Sequence, residues 1–255
     1  MKRVVYIFLI FVTVLNASLL AQESITQSAH NQDEFMESFD AEYNEANDIF
    51  DPLSGYNSAM TTFNDSFYMN FVKPVSTVYA DYVHENIRTG VDNVFNNLLF
   101  PVRFINNILQ FKLVNASEEL ARFGINSTFG LLGIMDVAKD INLKPHKEDF
   151  GQTLGFYGVG SGFHVVLPFI GPSNMRDIVG LSIDNLANPL SSNMGYEPYQ
   201  IPNHSSEQAA IIGVRMINHT SLHLNEYEKL KEYAVDLYPF LRDVYEQRRK
   251  NEIEQ

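Results

Sequence analysis

Nucleophiles, metal ligands and glycine-rich turns are where a chain of this kind would show enzymatic chemistry. Ser161 lies in the one Gly-rich segment, but a nucleophile elbow needs Gly two residues before and two after it. Those positions hold Val159 and Phe163. A dinucleotide-binding turn starting at Gly158 would need Gly where Phe163 stands, and no strand pattern precedes it. His219 and His223 are four apart and share a helix face, as two metal ligands do. A metalloprotease motif would place Glu after the first His, where this chain has Thr220. Spacing identifies no third ligand, so the pair reads as a surface or interface feature. His146 and His164 read as solvated or hydrogen-bonded rather than catalytic. Cysteine is absent, which excludes a thiol nucleophile, a disulfide framework and a Cys-ligated metal. The expectation is a protein that is not an enzyme and needs neither metal nor cofactor.

The elements that would have to position such groups are amphipathic helices. Phe35, Phe39, Tyr43, Ala46 and Phe50 recur at spacings of three and four, as do Tyr56, Met60, Phe63, Phe67 and Phe71 before Pro74, which is expected to end that run. Ile87, Val91, Val94, Leu98, Val102, Ile105 and Leu109 continue the pattern, with Pro101 a break or restart. Asn115 with Glu118, and Ser205 with Gln208, have the spacing of N-cap pairs. A last helix is expected from about 222 to 248, fraying at its charged end. Period-2 alternation is scarce, so the fold class is mainly α.

Residues 150–172 interrupt this pattern, with Gly at 151, 155, 158, 160, 162 and 171 among aromatic residues. Gly151, Gly155 and Gly158 would share one helix face and admit another backbone closely. Gly158, Gly160 and Gly162 favour an irregular turn. The stretch 184–206 reads as a surface loop. Periodicity leaves two readings open for the aromatic faces: they pack on one another, or some of them face lipid.

The 255 residues are 45% hydrophobic and 19% charged, enough for one sizeable core. Phe (19) and Tyr (13) make up the whole aromatic share, since Trp is absent. A net charge of -13 excludes a general nucleic-acid footprint. No Lys or Arg occurs between Arg3 and Lys73, an interval holding ten acidic residues from Glu23 to Asp65, which reads as a solvated arm. Lys2 and Arg3 precede the apolar run 4–15 and the small-residue exit to Ala21, the layout of a secretory signal peptide. With no Cys to acylate, the expectation is a chain that is not lipid-anchored. No later apolar run approaches the roughly 18 residues that span a bilayer.

The order of certain segments resembles the MlaA/VacJ family. Asp51-Pro52-Leu53-Ser54-Gly55-Tyr56-Asn57 and Phe63-Asn64 are similar to its opening signature. Lys73-Pro74, Asp81-Tyr82-Val83, Arg122-Phe123, Asn126-Ser127-Thr128 and Asp136-Val137-Ala138 follow in order. The strongest block runs from Phe150-Gly151-Gln152-Thr153-Leu154-Gly155 through Tyr157-Gly158-Val159-Gly160 and Leu167-Pro168-Phe169 to Gly171-Pro172 and Arg176-Asp177. Tyr238, Arg242, Tyr245 and Arg248 resemble its closing helix.

The resemblance implies a ring-shaped arrangement of amphipathic helices embedded in the periplasmic leaflet of the outer membrane, around an amphipathic channel. It also implies removal of mislocalised phospholipid from the outer leaflet and its transfer to a soluble periplasmic lipid carrier, in association with a trimeric porin. The organisation expected is a signal peptide (1–21), an acidic arm (22–50), the lipid-transport domain (51–248) and a polar tail (249–255). Candidates for the lipid path are Phe63, Phe67, Gly155, Tyr157, Gly158, Gly160 and Gly162, against the alternative that they serve packing and backbone geometry. Two other functions stand beside transport: a structural adaptor on a porin that carries no lipid, and a phospholipid hydrolase, which the failed Ser161 motif disfavours.

Overall fold

The computed structural model describes residues 50–192 and 200–255; the expected signal peptide, and the acidic arm up to residue 49, lie outside them. Among the described residues there are eleven α-helices and one two-stranded antiparallel hairpin. The fold class is mainly α, as the periodicity predicts.

The helix α1 (Ser54–Phe67) runs through a π-helical turn (Tyr68–Val72) into α2 (Lys73–Tyr82). Pro74 therefore sits in the first turn of α2 instead of ending the run. The wider π-turn in front of it takes up the register that the missing proline N–H would break. Helix α3 (Glu85–Leu98) is capped by the His84 Nδ1, which accepts from the Asn86 N–H at 3.2 Å. Helix α4 (Phe100–Leu109) restarts at Pro101, where the sequence places a break. Helix α5 (Leu113–Thr128) begins before the expected Asn115 cap, with Lys112 at the N-cap.

A short α6 (Val137–Asp140) leads to α7 (Phe150–Phe156), whose N-cap Asp149 accepts from the Gln152 N–H at 2.8 Å. Next come the hairpin strands β1 (His164–Leu167) and β2 (Gly171–Asn174), with His164 opposite Asn174 and Leu167 opposite Gly171. Helix α8 (Met175–Ala187) starts immediately, capped by Asn174, which accepts from the Asp177 N–H at 2.9 Å. Helix α9 (Ser205–Leu222) has His204 rather than Ser205 at its N-cap. The single closing helix expected from 222 onwards is two elements, α10 (Glu226–Glu232) and α11 (Leu237–Glu254), separated around Val235 and Asp236. The polar tail expected from 249 is the last turns of α11, and Arg249 there is buried.

Helix contacts within residues 51–255 close into a circuit. Helix α1 continues through the π-turn to α2, α2 packs on α9, α9 on α3, and α3 on α4. Helix α4 meets α7 and α8, α7 meets α11, and α11 returns to α1. That circuit is the ring the resemblance implies. Its closing joint is polar: the Tyr238 hydroxyl on α11 donates to Asp51 and accepts from Asn57 Nδ2 on α1.

Candidate functional site

In α1, α4 and α5 the apolar residues face outward. In α1, Asn57 and Thr61 are buried, whereas Tyr56 and Phe63 are exposed. In α4, Asn106 and Asn107 are buried with Val102, whereas Ile105, Ile108 and Leu109 are exposed. In α5 the buried face is Ala116, Glu119, Arg122 and Asn126, and the exposed one includes Leu113, Val114 and Leu120. The turn after α5 presents Phe129, Leu131 and Leu132, the last 79% exposed. Among the described residues, the largest side chains with essentially no exposure are Gln110, Glu119, Val166, Asn57, Asn106 and Asn107, of which Val166 alone is apolar. A water-soluble chain buries Leu and Phe and exposes amides. This one does the reverse, with an exposed apolar surface far larger than scattered single residues would leave.

Most of the buried amides are engaged, as burial requires, although the side-chain oxygens of Asn107, Gln110 and Gln152 have no partner. Asn57 donates to the His164 carbonyl at 3.0 Å and accepts from the Val166 N–H at 2.8 Å. Asn64, two turns further along α1, donates to the Leu167 carbonyl at 2.9 Å and accepts from the Phe169 N–H at 2.7 Å. Two side-chain amides thus hold the outer edge of β1 against α1. Elsewhere, Arg122 Nη2 donates to both oxygens of Asp136 at 2.9 Å, and Asn126 joins the same carboxylate at 2.8 Å. Burial pushes the Asp136 carboxyl up, but the Asn126 and Arg122 bonds outweigh it and hold it below the usual range. Glu119, fully buried, pairs with Arg103 at 2.7 Å and accepts from the His146 N–H at 2.6 Å.

A second network ties α11 to α7 and α8. Asp177 accepts from Arg249 Nε at 2.9 Å, from the Tyr245 hydroxyl at 2.7 Å and from Arg176 Nε at 3.0 Å. Arg249 also pairs with Asp149 at 2.8 Å. Beside it, Asp184 accepts from the Phe150 N–H at 2.9 Å and from Asn106 at 2.8 Å. Burial pushes the Asp184 carboxyl up to about 6, more than those hydrogen bonds offset. A carboxyl raised in the folded state contributes stability that is whole below its unfolded value and lost as pH rises through about 6. The contribution is on the order of 2 kcal/mol. Denaturation of the protein and of Asp184→Ala, each at about pH 4 and about pH 7, checks this. The unaltered protein should lose more stability than the variant over that rise, and parallel behaviour would refute it.

The sequence candidates fall into separate places. Phe63 and Phe67 are stacked with centroids 6.4 Å apart, and Phe169 at the hairpin turn meets both edge-on at 5.2 and 4.9 Å. Gly155 lies under α11, where an added Cβ would stand 2.5 Å from Ile253 Cδ1. The Tyr157 ring is exposed while its hydroxyl donates to the Leu109 carbonyl at 2.6 Å. Gly158 and Gly162 have positive φ (84° and 71°) in an exposed turn that also holds Gly160. The close backbone approach expected along 151, 155 and 158 occurs at Gly151 alone, where Gly180 of α8 meets it. His219 and His223 stack at 4.3 Å, and no group of three or more His, Asp or Glu placed to hold a metal occurs among the described residues. His146 and His164 are each hydrogen-bonded to a glutamate, Glu118 and Glu246.

Sequence reasoning missed the buried amides, Gly180 and the Asp177–Arg249 network. The seven-residue spacing of Asn57 and Asn64 was the available signal for the first. On α9, Arg215 and His219 keep solvent access although protein atoms crowd round them. That crowding pulls both groups down from their ordinary values, with the neighbouring Arg103 adding to it for Arg215 and His223 for His219.

Three comparisons bear on this arrangement. The family described as MlaA lipoprotein matches residues 49–252. The intermembrane phospholipid transport system lipoprotein MlaA of Haemophilus influenzae is 30% identical over 92% of this chain and 88% of its own length. The Escherichia coli protein of the same name is 38% identical over 55% of this chain and 58% of its own length. A chain from a solved structure described as "Structural basis for maintenance of bacterial outer membrane lipid asymmetry" superposes with a TM-score of 0.67. It is 30% identical, and the match covers 80% of this chain and 98% of that one. The relatives' shared designation as lipoproteins corrects the expectation that this chain is not lipid-anchored. That expectation rested on composition alone, and lack of one residue type in these residues does not decide how a family is attached.

Proposed function

The chain belongs to the MlaA lipoprotein family, and we propose that it moves phospholipid in the maintenance of outer-membrane lipid asymmetry. In this reading it takes mislocalised phospholipid from the outer leaflet through an amphipathic channel and passes it to a soluble periplasmic carrier, with a trimeric porin as its membrane partner. It works without being an enzyme, because moving a lipid breaks no covalent bond.

The observation that carries the reading is the reversal of burial in a closed circuit of helices. An exterior of Phe, Leu, Ile and Val exchanges contacts with acyl chains at no hydrophobic cost. No described helix is long and apolar enough to cross a membrane, so such helices lie along one leaflet. Polar groups at that depth must be paired within the protein or line a wet passage, and most of the buried amides and charges here are paired. The adaptor reading, a porin-bound protein without lipid conduction, accounts for the apolar exterior but gives the polar interior no task.

Mass spectrometry of lipid bound to the protein, extracted from outer membranes in mild detergent, tests the proposal. Intact phospholipid at a defined ratio, enriched over bulk lipid, is the expected result. A porin copurifying with no enriched lipid would transfer the case to the adaptor reading, and release of fatty acid would revive a hydrolase.

A further inference from the structure

Helix α10 stands apart from the circuit that closes the ring, since α11 returns to α1 without it. None of its seven residues is buried. What holds it is a short row of polar contacts to the run from α1 into α2. Lys231 pairs with both oxygens of Asp65 at 2.8 Å, and the Tyr227 hydroxyl donates to the same carboxylate at 3.0 Å. Glu228 pairs with Lys73, and the Tyr227 ring meets that of Tyr68 with centroids 4.6 Å apart. The π-turn from Tyr68 to Val72 takes more residues per turn than an α-helix, which brings Lys73 back toward the side that carries Asp65 and Tyr68. Both ends of α10 are free to pivot: Asn225 before it has a left-handed φ of 68°, and Val235 after it is fully exposed. Tyr227 also lines a recess of about 200 Å³ between α1, the hairpin and α11, together with Asn64, Tyr68, Val166, Phe169 and Leu241.

We propose that α10 is a strap latched by charge, which walls this recess when the Asp65–Lys231 and Lys73–Glu228 pairs are made and swings clear when they break. Such a strap works whatever the ring carries, so it goes beyond the transport reading and does not depend on it. The Lys231 side chain is 40% exposed, and ion pairs with that much solvent are weak and screened by salt. A helix with a buried apolar face would ride out their loss, but α10 has no such face. Nor does a helix of seven residues persist unsupported in water, so release frees a loose segment rather than a rigid rod. The neighbouring α11 is held differently, by Tyr238 and Arg249 at its two ends, both buried. The ring therefore stays closed while the strap opens.

Spin-label distances in the full chain, in mild detergent, test this. The chain has no cysteine, so Ser58→Cys on α1 and Lys229→Cys on α10, both at exposed positions, give the only two thiols. A second pair, Ser58→Cys with Gln247→Cys on α11, reports on the ring itself. Salt is raised from about 0.01 M to about 1 M, which shortens the screening length from about 30 Å to about 3 Å. The expected result for the α1–α10 pair is one short distance at low salt, with a broad, longer population growing at least about threefold at high salt. Adding Lys231→Gln should bring out that population at low salt, and Lys231→Arg, which keeps the charge, should not. The α1–α11 distance should stay constant throughout. A short α1–α10 distance indifferent to both salt and Lys231→Gln would overturn the strap and make α10 a fixed part of the wall. Lengthening of both pairs in step would overturn it too, because the ring as a whole would then be loosening.

Discussion

Asp177→Ala is expected to release the C-terminal helix from the ring. Asp177 is 7% exposed and accepts from Arg249, Tyr245 and Arg176 at 2.7 to 3.0 Å, so its removal leaves two buried guanidinium groups short of a counter-charge. Breaking one side of a buried ion pair typically costs about 3–5 kcal/mol, because the remaining charge is neither solvated nor paired. Asp149 still holds Arg249, at 2.8 Å, but it lies nearer solvent and cannot reach Arg176 through the same contact. Chemical denaturation in detergent, followed by far-UV circular dichroism, should show the loss, with protease cleavage in α11 appearing first. An unchanged midpoint would mean that α11 is held by its other contacts. The pH dependence has a definite sign. Burial pushes the Asp177 carboxyl up, but Arg249 and Arg176 outweigh it and hold it below its ordinary value. Its contribution is therefore present above the unfolded carboxyl value and lost as pH falls through the folded one. The variant should lack that step.

Gly180→Ala is expected to be nearly as damaging, and Gly155→Ala mild. A Cβ on Gly180 would stand 2.3 Å from the Gly151 nitrogen and 2.7 Å from its Cα, and backbone atoms in the first turn of a packed helix cannot turn aside as a side chain can. Relief requires α7 and α8 to separate, and overpacking of this sort costs about 1–3 kcal/mol or more. A Cβ on Gly155 meets the end of Ile253, a side chain that can take another rotamer, so the cost should stay under about 1 kcal/mol. Separation of α7 from α8 would also strain Asp184, which bridges Phe150 and Asn106. Thermal melts of the two variants decide the matter. Equal shifts would show that the Gly151–Gly180 crossing is not the tight joint.

How much of this was legible in the sequence differs from residue to residue. The helices were, because Tyr56, Phe63, Phe67 and Phe71 recur at helical spacing whatever surrounds them. Which way they point was not, because a stripe of Phe and Val reads the same facing a core as facing lipid. The opposite stripe carried the missing information: Asn57, Thr61 and Asn64 repeat just as regularly, but polar residues at that spacing are ordinarily taken for a solvated face. Arg249 falls within the polar tail expected from the sequence, and burial of one charge among neighbours such as Arg248 and Lys250, which are exposed, leaves no local mark. Gly180 was overlooked for a related reason. A lone glycine in a helical pattern shows its purpose only beside Gly151, some thirty positions away in the chain. The family resemblance supplied what periodicity could not, since the order of motifs encodes a whole arrangement rather than a local one.

Asn57 and Asn64 have a consequence for the hairpin as a ribbon. A side-chain amide carries a donor and an acceptor with the spacing of a peptide group, so α1 stands beside β1 in the place of a third strand. A two-stranded ribbon in a greasy setting would otherwise present unpaired peptide groups to any extended segment that drifted past, and sheets grow from such edges. With β1 spoken for, that flank offers a newcomer no template, and the ribbon ends where the helix begins.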